Sequence, residues 1–153
     1  MKRHRSQVRD WMTADPVTIS PKTTLFEAYN IMFDNEIRRM PVIQGNDLVG
    51  IVTLSDVQRS IPPHTEQADI EVKLELTPTL VEDVMAYDPV TVTPEDTIRE
   101  AAARMLEYQI SGLPVVQDRE VVGIITESDI FKLIVESWTD EGMISETAKQ
   151  SDK

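Results

Sequence analysis

Apolar residues fall along the chain in blocks whose spacing shifts from alternation to helical and back, and the whole succession occurs twice. In the first half, "PVTIS" is a short β-branched run opened by proline, which a strand accepts at its first residue, and it predicts a first strand. From Thr24 onward Leu25, Ala28, Ile31 and Met32 stand at helical spacing, with Ser20 or Thr24 offering the hydroxyl that caps a helix start. "MPVIQGNDLVGIVT" gives two apolar runs parted by a short polar turn, a hairpin whose near-continuous hydrophobicity implies burial on both faces. "LSDVQRSI" follows, and its Ser-Asp pair suits the start of a second helix. The second half reads the same way. "PVTVT" is a strand; Ile98, Ala101, Ala102, Met105 and Leu106 follow a cap at Thr93 or Thr97; "LPVVQDREVVGIIT" is a hairpin; "ESDIFKLI" is a helix.

Sliding the sequence against itself by 73 positions aligns residues 8–61 with 81–134 without a gap, and 23 of the 54 pairs are identical. A single duplication of this length does not build a solenoid, which needs about three or more units to bury its faces. It builds two similar subdomains that face each other. The chain therefore divides into a first unit at 8–61, a linker at 62–80, a second unit at 81–134 and a polar, mostly acidic tail at 135–153. Within the linker "PPHTEQAD" breaks structure, and "IEVKLEL" alternates apolar and charged residues with period two, as an edge strand or a solvated linker would. Met12, Met32, Met85 and Met105 occupy matching places in the two copies, which points to packing rather than ligand binding.

Composition narrows the function. The 15 Lys and Arg stand against 27 Asp and Glu, for a net charge of −12. Nucleic-acid binding depends on neutralising phosphates, so a chain this acidic is poorly suited to it. Lys2, Arg3, Arg5 and Arg9 crowd the first ten residues and read, like the acidic tail, as solvated tethers. There is no cysteine, which removes disulfides and thiolate metal sites and fits a reducing cytosol; with no apolar run of spanning length, the expectation is a cytoplasmic protein without membrane contact. Catalysis finds little support. His4 and His64 lie outside both repeats, no serine stands in a G-x-S-x-G elbow, and five unclustered glycines leave no loop able to cradle a triphosphate.

A β-α-β-β-α unit that opens on "DPVT", carries "LPVV" and closes on "GIVTLSD" or "GIITESD", written twice in register, resembles the CBS domain, and the pair resembles a Bateman module. The resemblance implies an α/β (α+β) fold of two such repeats packed about a pseudo-twofold axis. It also implies a homodimer of pairs, and regulatory binding of an adenosine-containing ligand (AMP, ADP, ATP or a related adenosyl compound) in clefts between the repeats. No cofactor is required and no catalytic residue or metal is expected; the regulated protein is not identified by any motif. By resemblance Asp56 and Asp129 bind ribose and Thr53 and Thr126 lie near phosphate. Chemistry agrees, since a carboxylate accepts both ribose hydroxyls and helix-start amides favour an anion. Arg38 and Arg39 stand where the family often carries a basic phosphate contact, and Ser111 and Gly112, their counterparts in the second copy, resemble its adenine-contacting segment.

Each assignment has a plainer competitor. The Asp residues, with Ser55 and Ser128, could merely cap helices, and the arginines could pair with Asp34 or Glu36 on the surface. The corresponding alternative for the whole chain is a ligand-free scaffold or dimerisation module. The homodimer is expected to cover helical faces carrying Val57, Ile61, Ile130, Phe131 and Ile134.

Overall fold

A computed structural model describes residues 5–140. Its elements are β1 (Thr13–Ala14), α1 (Leu25–Asn35), β2 (Arg39–Gln44), β3 (Asp47–Thr53), α2 (Leu54–Arg59), α3 (Ile70–Leu76), β4 (Ala86–Tyr87), α4 (Ile98–Tyr108), β5 (Gly112–Gln117), β6 (Glu120–Thr126) and α5 (Glu127–Asp140). The two hairpins form as expected, pairing Arg39 with Thr53 through Gln44 with Asp47, and Gly112 with Thr126 through Gln117 with Glu120. Each carries one register shift at the same place, between Val42 and Ile43 and between Val115 and Val116. Gly45 at φ 65° makes the first turn; Asp118 and Arg119 take positive φ to make the second.

The third strand of each sheet comes from the other repeat. β1 pairs with β6, Thr13 against Ile124, and β4 pairs with β3, Gly50 against Tyr87. The sheets are thus β1-β6-β5 and β2-β3-β4. The cores are exchanged in the same way. Val81 and Met85 are buried with Leu25, Met32, Met40 and Val52 of the first unit, whereas Val8 is buried with Ile98, Met105, Leu113 and Ile125 of the second. Gly50 and Gly123 make the crossing possible: a Cβ on Gly50 would lie 2.8 Å from the Ala86 carbonyl oxygen, and one on Gly123 3.0 Å from that of Thr13.

Several expectations are corrected. The "PVTIS" and "PVTVT" runs are not full strands: each makes one parallel bridge, Ile19 to Val42 and Val92 to Val115, while the short paired strands lie just upstream. Left-handed backbone at Asp15 and Asp88, φ 50° and 49°, turns the chain between each short paired strand and the run that follows it, so only one residue of the run lies alongside a hairpin. "IEVKLEL" is neither edge strand nor solvated linker but α3, because Ile70 and Leu74 lie four apart on the face that meets α1, and Leu74 is 1% exposed. Leu106 was expected on the buried stripe of α4 but is 82% exposed. Thr24 and Thr97, rather than Ser20 and Thr93, cap α1 and α4 by accepting the amides of Glu27 and Glu100. The four matching methionines do pack, three of them buried and Met12 against the second core.

The charged ends are not wholly free tethers. Arg5 stacks on Trp11 at 4.5 Å and pairs with Glu136 at 3.8 Å, and Arg9 pairs with Glu95 at 2.9 Å. Residues 135–140 continue α5; Lys2, Arg3 and residues 141–153 lie outside the described residues. Of the faces expected to need a partner, Val57 is fully buried, and Ile61 and Ile130 pack on the two cores within the chain. Among the described residues no helix is long and apolar enough to cross a membrane.

Candidate functional site

Each β-hairpin ends where its helix begins, and a backbone bond locks that corner to the segment before the hairpin. The Leu54 amide donates to the Arg38 carbonyl at 2.7 Å, and the Glu127 amide to the Ser111 carbonyl at 3.0 Å. With Arg39 opposite Thr53 and Gly112 opposite Thr126, the structure brings the predicted residues into two corners: Arg38, Arg39, Thr53 and Asp56 in one, Ser111, Gly112, Thr126 and Asp129 in the other.

The first corner is a closed capping box. Thr53 is the N-cap of α2 and Asp56 the third helical residue, so the Ser-Asp pair does not begin the helix as expected. The Thr53 amide donates to Asp56 Oδ2 at 2.8 Å, and the Asp56 amide returns a bond to the Thr53 hydroxyl at 3.2 Å. The remaining carboxylate oxygen, Oδ1, pairs with the Arg59 guanidinium one turn on.

The second corner is wired differently. Asp129 Oδ2 accepts both the Thr126 amide at 2.9 Å and the Thr126 hydroxyl at 3.3 Å. Asp129 is 8% exposed, the one buried charged residue among those described. Its Oδ1 has no partner there, yet no sealed side-chain oxygen is left unpaired, so Oδ1 faces accessible space. Lys132 stands where the first copy has Arg59 and forms no ion pair with Asp129.

Arg39 links the corners. A Cβ on Gly112 would lie 2.5 Å from Arg39 Nη1 and 2.7 Å from its Cδ, so the absence of a side chain at 112 is what admits the guanidinium. Sequence reasoning assigns Arg38–Arg39 and Ser111–Gly112 to separate clefts; the structure lays Arg39 on Gly112. Burial holds the Arg39 pKa below its ordinary value, with Glu127 opposing and Arg38 adding to the shift. Neither arginine pairs with Asp34 or Glu36 among the described residues, and Arg39 forms no ion pair at all there.

Sequence reasoning missed Glu127 and Arg59. The signal was present, because the repeat sets Glu127 against Leu54 and Arg59 against Lys132. An open groove of about 420 Å³ lies at the opposite, turn end of the hairpins, between Asp47, Leu48, Asp88, Thr91 and Arg119, and none of the predicted site residues lines it. Among the described residues no group of three or more His, Asp or Glu comes together to hold a metal.

The family model of the CBS domain matches residues 8–63 and again 81–136. The CBS domain pair of protein MJ0100, solved in complex with 5'-methylthioadenosine and S-adenosyl-L-methionine, superposes with a TM-score of 0.73 at 28% identity, covering 86% of this chain and 98% of that one. CBSX2, an Arabidopsis thaliana protein solved in complex with AMP, superposes with a TM-score of 0.70 at 26% identity, covering 86% of this chain and 97% of that one. Among curated proteins, an inosine-5'-monophosphate dehydrogenase of Korarchaeum cryptofilum is 36% identical over 132 residues, 86% of this chain and 25% of its own. A homoserine O-acetyltransferase of Methanohalobium evestigatum is 34% identical over 84% of this chain and 24% of its own. The chain thus spans about a quarter of the length of these curated relatives.

Proposed function

The chain belongs to the CBS-domain family, and on that premise we propose that it is a regulatory module that binds an adenosine-containing ligand at the hairpin-to-helix corners and passes the change to a protein partner, without catalysing a reaction. The observation that carries this reading is that one hairpin-to-helix corner holds a buried carboxylate, Asp129, with one oxygen lacking a partner among the described residues, and receives on its Gly112 a half-buried guanidinium, Arg39, that forms no ion pair there. Polar groups buried in this way are ordinarily satisfied. A carboxylate that accepts ribose hydroxyls and a guanidinium that donates to phosphate are complementary to the two polar parts of a nucleotide. The complexes of MJ0100 and CBSX2 with adenosyl compounds support the ligand class. Whole-protein activities of the curated relatives are not transferred, because the match covers only a quarter of each.

The module works as a cytoplasmic homodimer in this reading. Phe131, Val135 and Trp138 form an exposed stripe on α5, and Phe33 and Leu106, equivalent positions in the two copies, are 72% and 82% exposed. A second copy covering them is the economical explanation. Light scattering of the full chain at micromolar concentration should give twice 17.3 kDa, and a monomer would refute the dimer.

Thermal melting of the full chain with AMP, ATP, S-adenosyl-L-methionine and 5'-methylthioadenosine tests the ligand. A compound at 100 times its Kd adds about 2.7 kcal/mol, which for a chain of this size raises the midpoint by roughly 5–10 °C. If none of the four moves the melting point at millimolar concentration, the corners are caps and the chain is a scaffold.

A further inference from the structure

Resting on that reading, we infer that the two corners are inequivalent: the Asp129 corner takes one adenine nucleotide per chain, and the Asp56 corner is closed from within by Arg59. Three differences between positions related by the repeat carry this. Asp56 engages both oxygens inside the chain, one with the Thr53 amide and one with Arg59, so a ribose would have to share an oxygen already in use. Asp129 directs both of its bonds from Thr126 to a single oxygen and keeps the other for an incoming donor. The third difference is at the cation. Arg39 departs from its own corner and lies on Gly112, beside the residue pair that ends β6 and under the influence of Glu127 at the start of α5.

Arg59 and Lys132 are not interchangeable in this role. The guanidinium of Arg59, one helical turn after Asp56, presents a planar fork that a carboxylate accepts well. Lys132 carries a single hydrated point charge at the same helical position and forms no ion pair with Asp129. A nucleotide entering the first corner must compete with Arg59 for the Asp56 carboxylate, whereas in the second one carboxylate oxygen is open among the described residues. Arg39 has no equivalent serving the first corner, because its counterpart there is Gly112. The first corner therefore lacks both an open carboxylate oxygen and the Arg39 guanidinium.

Isothermal titration of the full chain with AMP tests this, using D129N, D56N and R59Q. The unaltered chain should bind one AMP per chain. D129N should weaken binding by about tenfold or more, the effect of losing a hydrogen bond to a charged group, while D56N changes it less than about twofold. R59Q should raise the stoichiometry toward two by adding a weaker site. Two AMP per chain in the unaltered protein, or equal losses in D56N and D129N, would overturn the inequivalence and leave the ligand-binding function standing. An R59Q that still binds one would overturn Arg59 as the closing group. No binding of AMP, ATP, S-adenosyl-L-methionine or 5'-methylthioadenosine would remove the function and the inference together. Arg59 is largely exposed, so the parent stoichiometry and the R59Q arm decide the matter even if D129N fails to fold.

Discussion

Three glycines, changed one at a time to alanine, separate what holds the fold from what holds the site. Gly50, Gly112 and Gly123 all lie on strands, and none has a positive φ, so alanine is conformationally allowed and the effect is one of space. At Gly50 the new methyl would stand 2.6 Å from Met85 Sδ and 2.8 Å from the Ala86 carbonyl oxygen. That oxygen belongs to β4, which is anchored by Met85 and Val81 in the first core, so it cannot yield without moving buried chain. Overpacking of this kind costs about 1–3 kcal/mol, partly offset by the 0.4–1 kcal/mol, roughly, that replacing glycine removes from the unfolded chain's freedom. For G50A the central values leave about 1.3 kcal/mol, so the melting point should fall by about 3–5 °C, at roughly 2–4 °C per kcal/mol for this size. G123A, with its backbone oxygen at 3.0 Å, should fall less. For G112A the three nearest atoms all belong to the Arg39 side chain, from Cδ outward, rather than to backbone, and that side chain can swing toward solvent, so its melting point should stay within about 2 °C of the parent. Its affinity for AMP should drop, because the guanidinium has been pushed off the corner. Differential scanning calorimetry and AMP titration of the same three preparations read both effects. A G112A as unstable as G50A, or a G50A as stable as the parent, would refute the account of the crossover as a close backbone approach.

Leu74→Ala should cost about 2–5 kcal/mol in urea unfolding if α3 is part of the first core, whereas a solvated linker would change by less than about 0.5 kcal/mol. R39Q should weaken AMP and ATP binding with little effect on adenosine, while R38Q, an exposed charge, should act only weakly and vanish as salt rises past physiological strength. Equal losses for adenosine and ATP in R39Q would instead make it a packing residue. The Asp96 pKa is lowered overall: burial alone would raise it, but the Thr93 amide, Glu100 and Arg104 outweigh that. A carboxylate whose folded value lies below its unfolded one stabilises fully above the usual carboxylate range and loses that contribution as pH falls through the folded value. D96N should therefore flatten the acid side of the stability curve below about pH 4, as followed by thermal melting at stepped pH.

Where periodicity and turn chemistry act locally, the fold was legible. The hairpins, both long amphipathic helices and the methionine positions follow from spacing alone, because each depends on residues within one unit. The failures share a cause. Strand exchange between the repeats is a matter of topology, and a sequence aligned to itself at 73 positions cannot distinguish a unit that completes its own sheet from one that completes its neighbour's. α3 was misread because seven residues satisfy period two and an i, i+4 contact equally well; only α1, at the far end of a loop, decides between them. Helix faces were judged open for the same reason. Val57 is buried in the first core, where α2 packs on α1 and β3, an arrangement that the spacing within α2 does not reveal.

The candidate site was legible as a pair of motifs, but its unequal wiring was not, and the axis between the repeats explains why. Residues 39 and 112 are equivalent by the repeat and touch each other in the structure. Positions that meet their own counterpart across a pseudo-twofold cannot both keep the same side chain freely. Two arginines there would bring two desolvated cations together, and two glycines would leave the space between the sheets unfilled and without a cation. One large and one absent side chain satisfy packing and charge at once, but only by giving the guanidinium to one corner. Once Arg39 is committed to the Asp129 corner, an anion bound at the Asp56 corner would face an acidic chain of net charge −12 without that guanidinium. Pairing Asp56 with Arg59 then leaves that carboxylate satisfied from within the chain. The divergence at residues 39 and 112 and the divergence at residues 59 and 132 are in this sense one event, and a swap of both pairs between the copies should exchange the roles of the two corners.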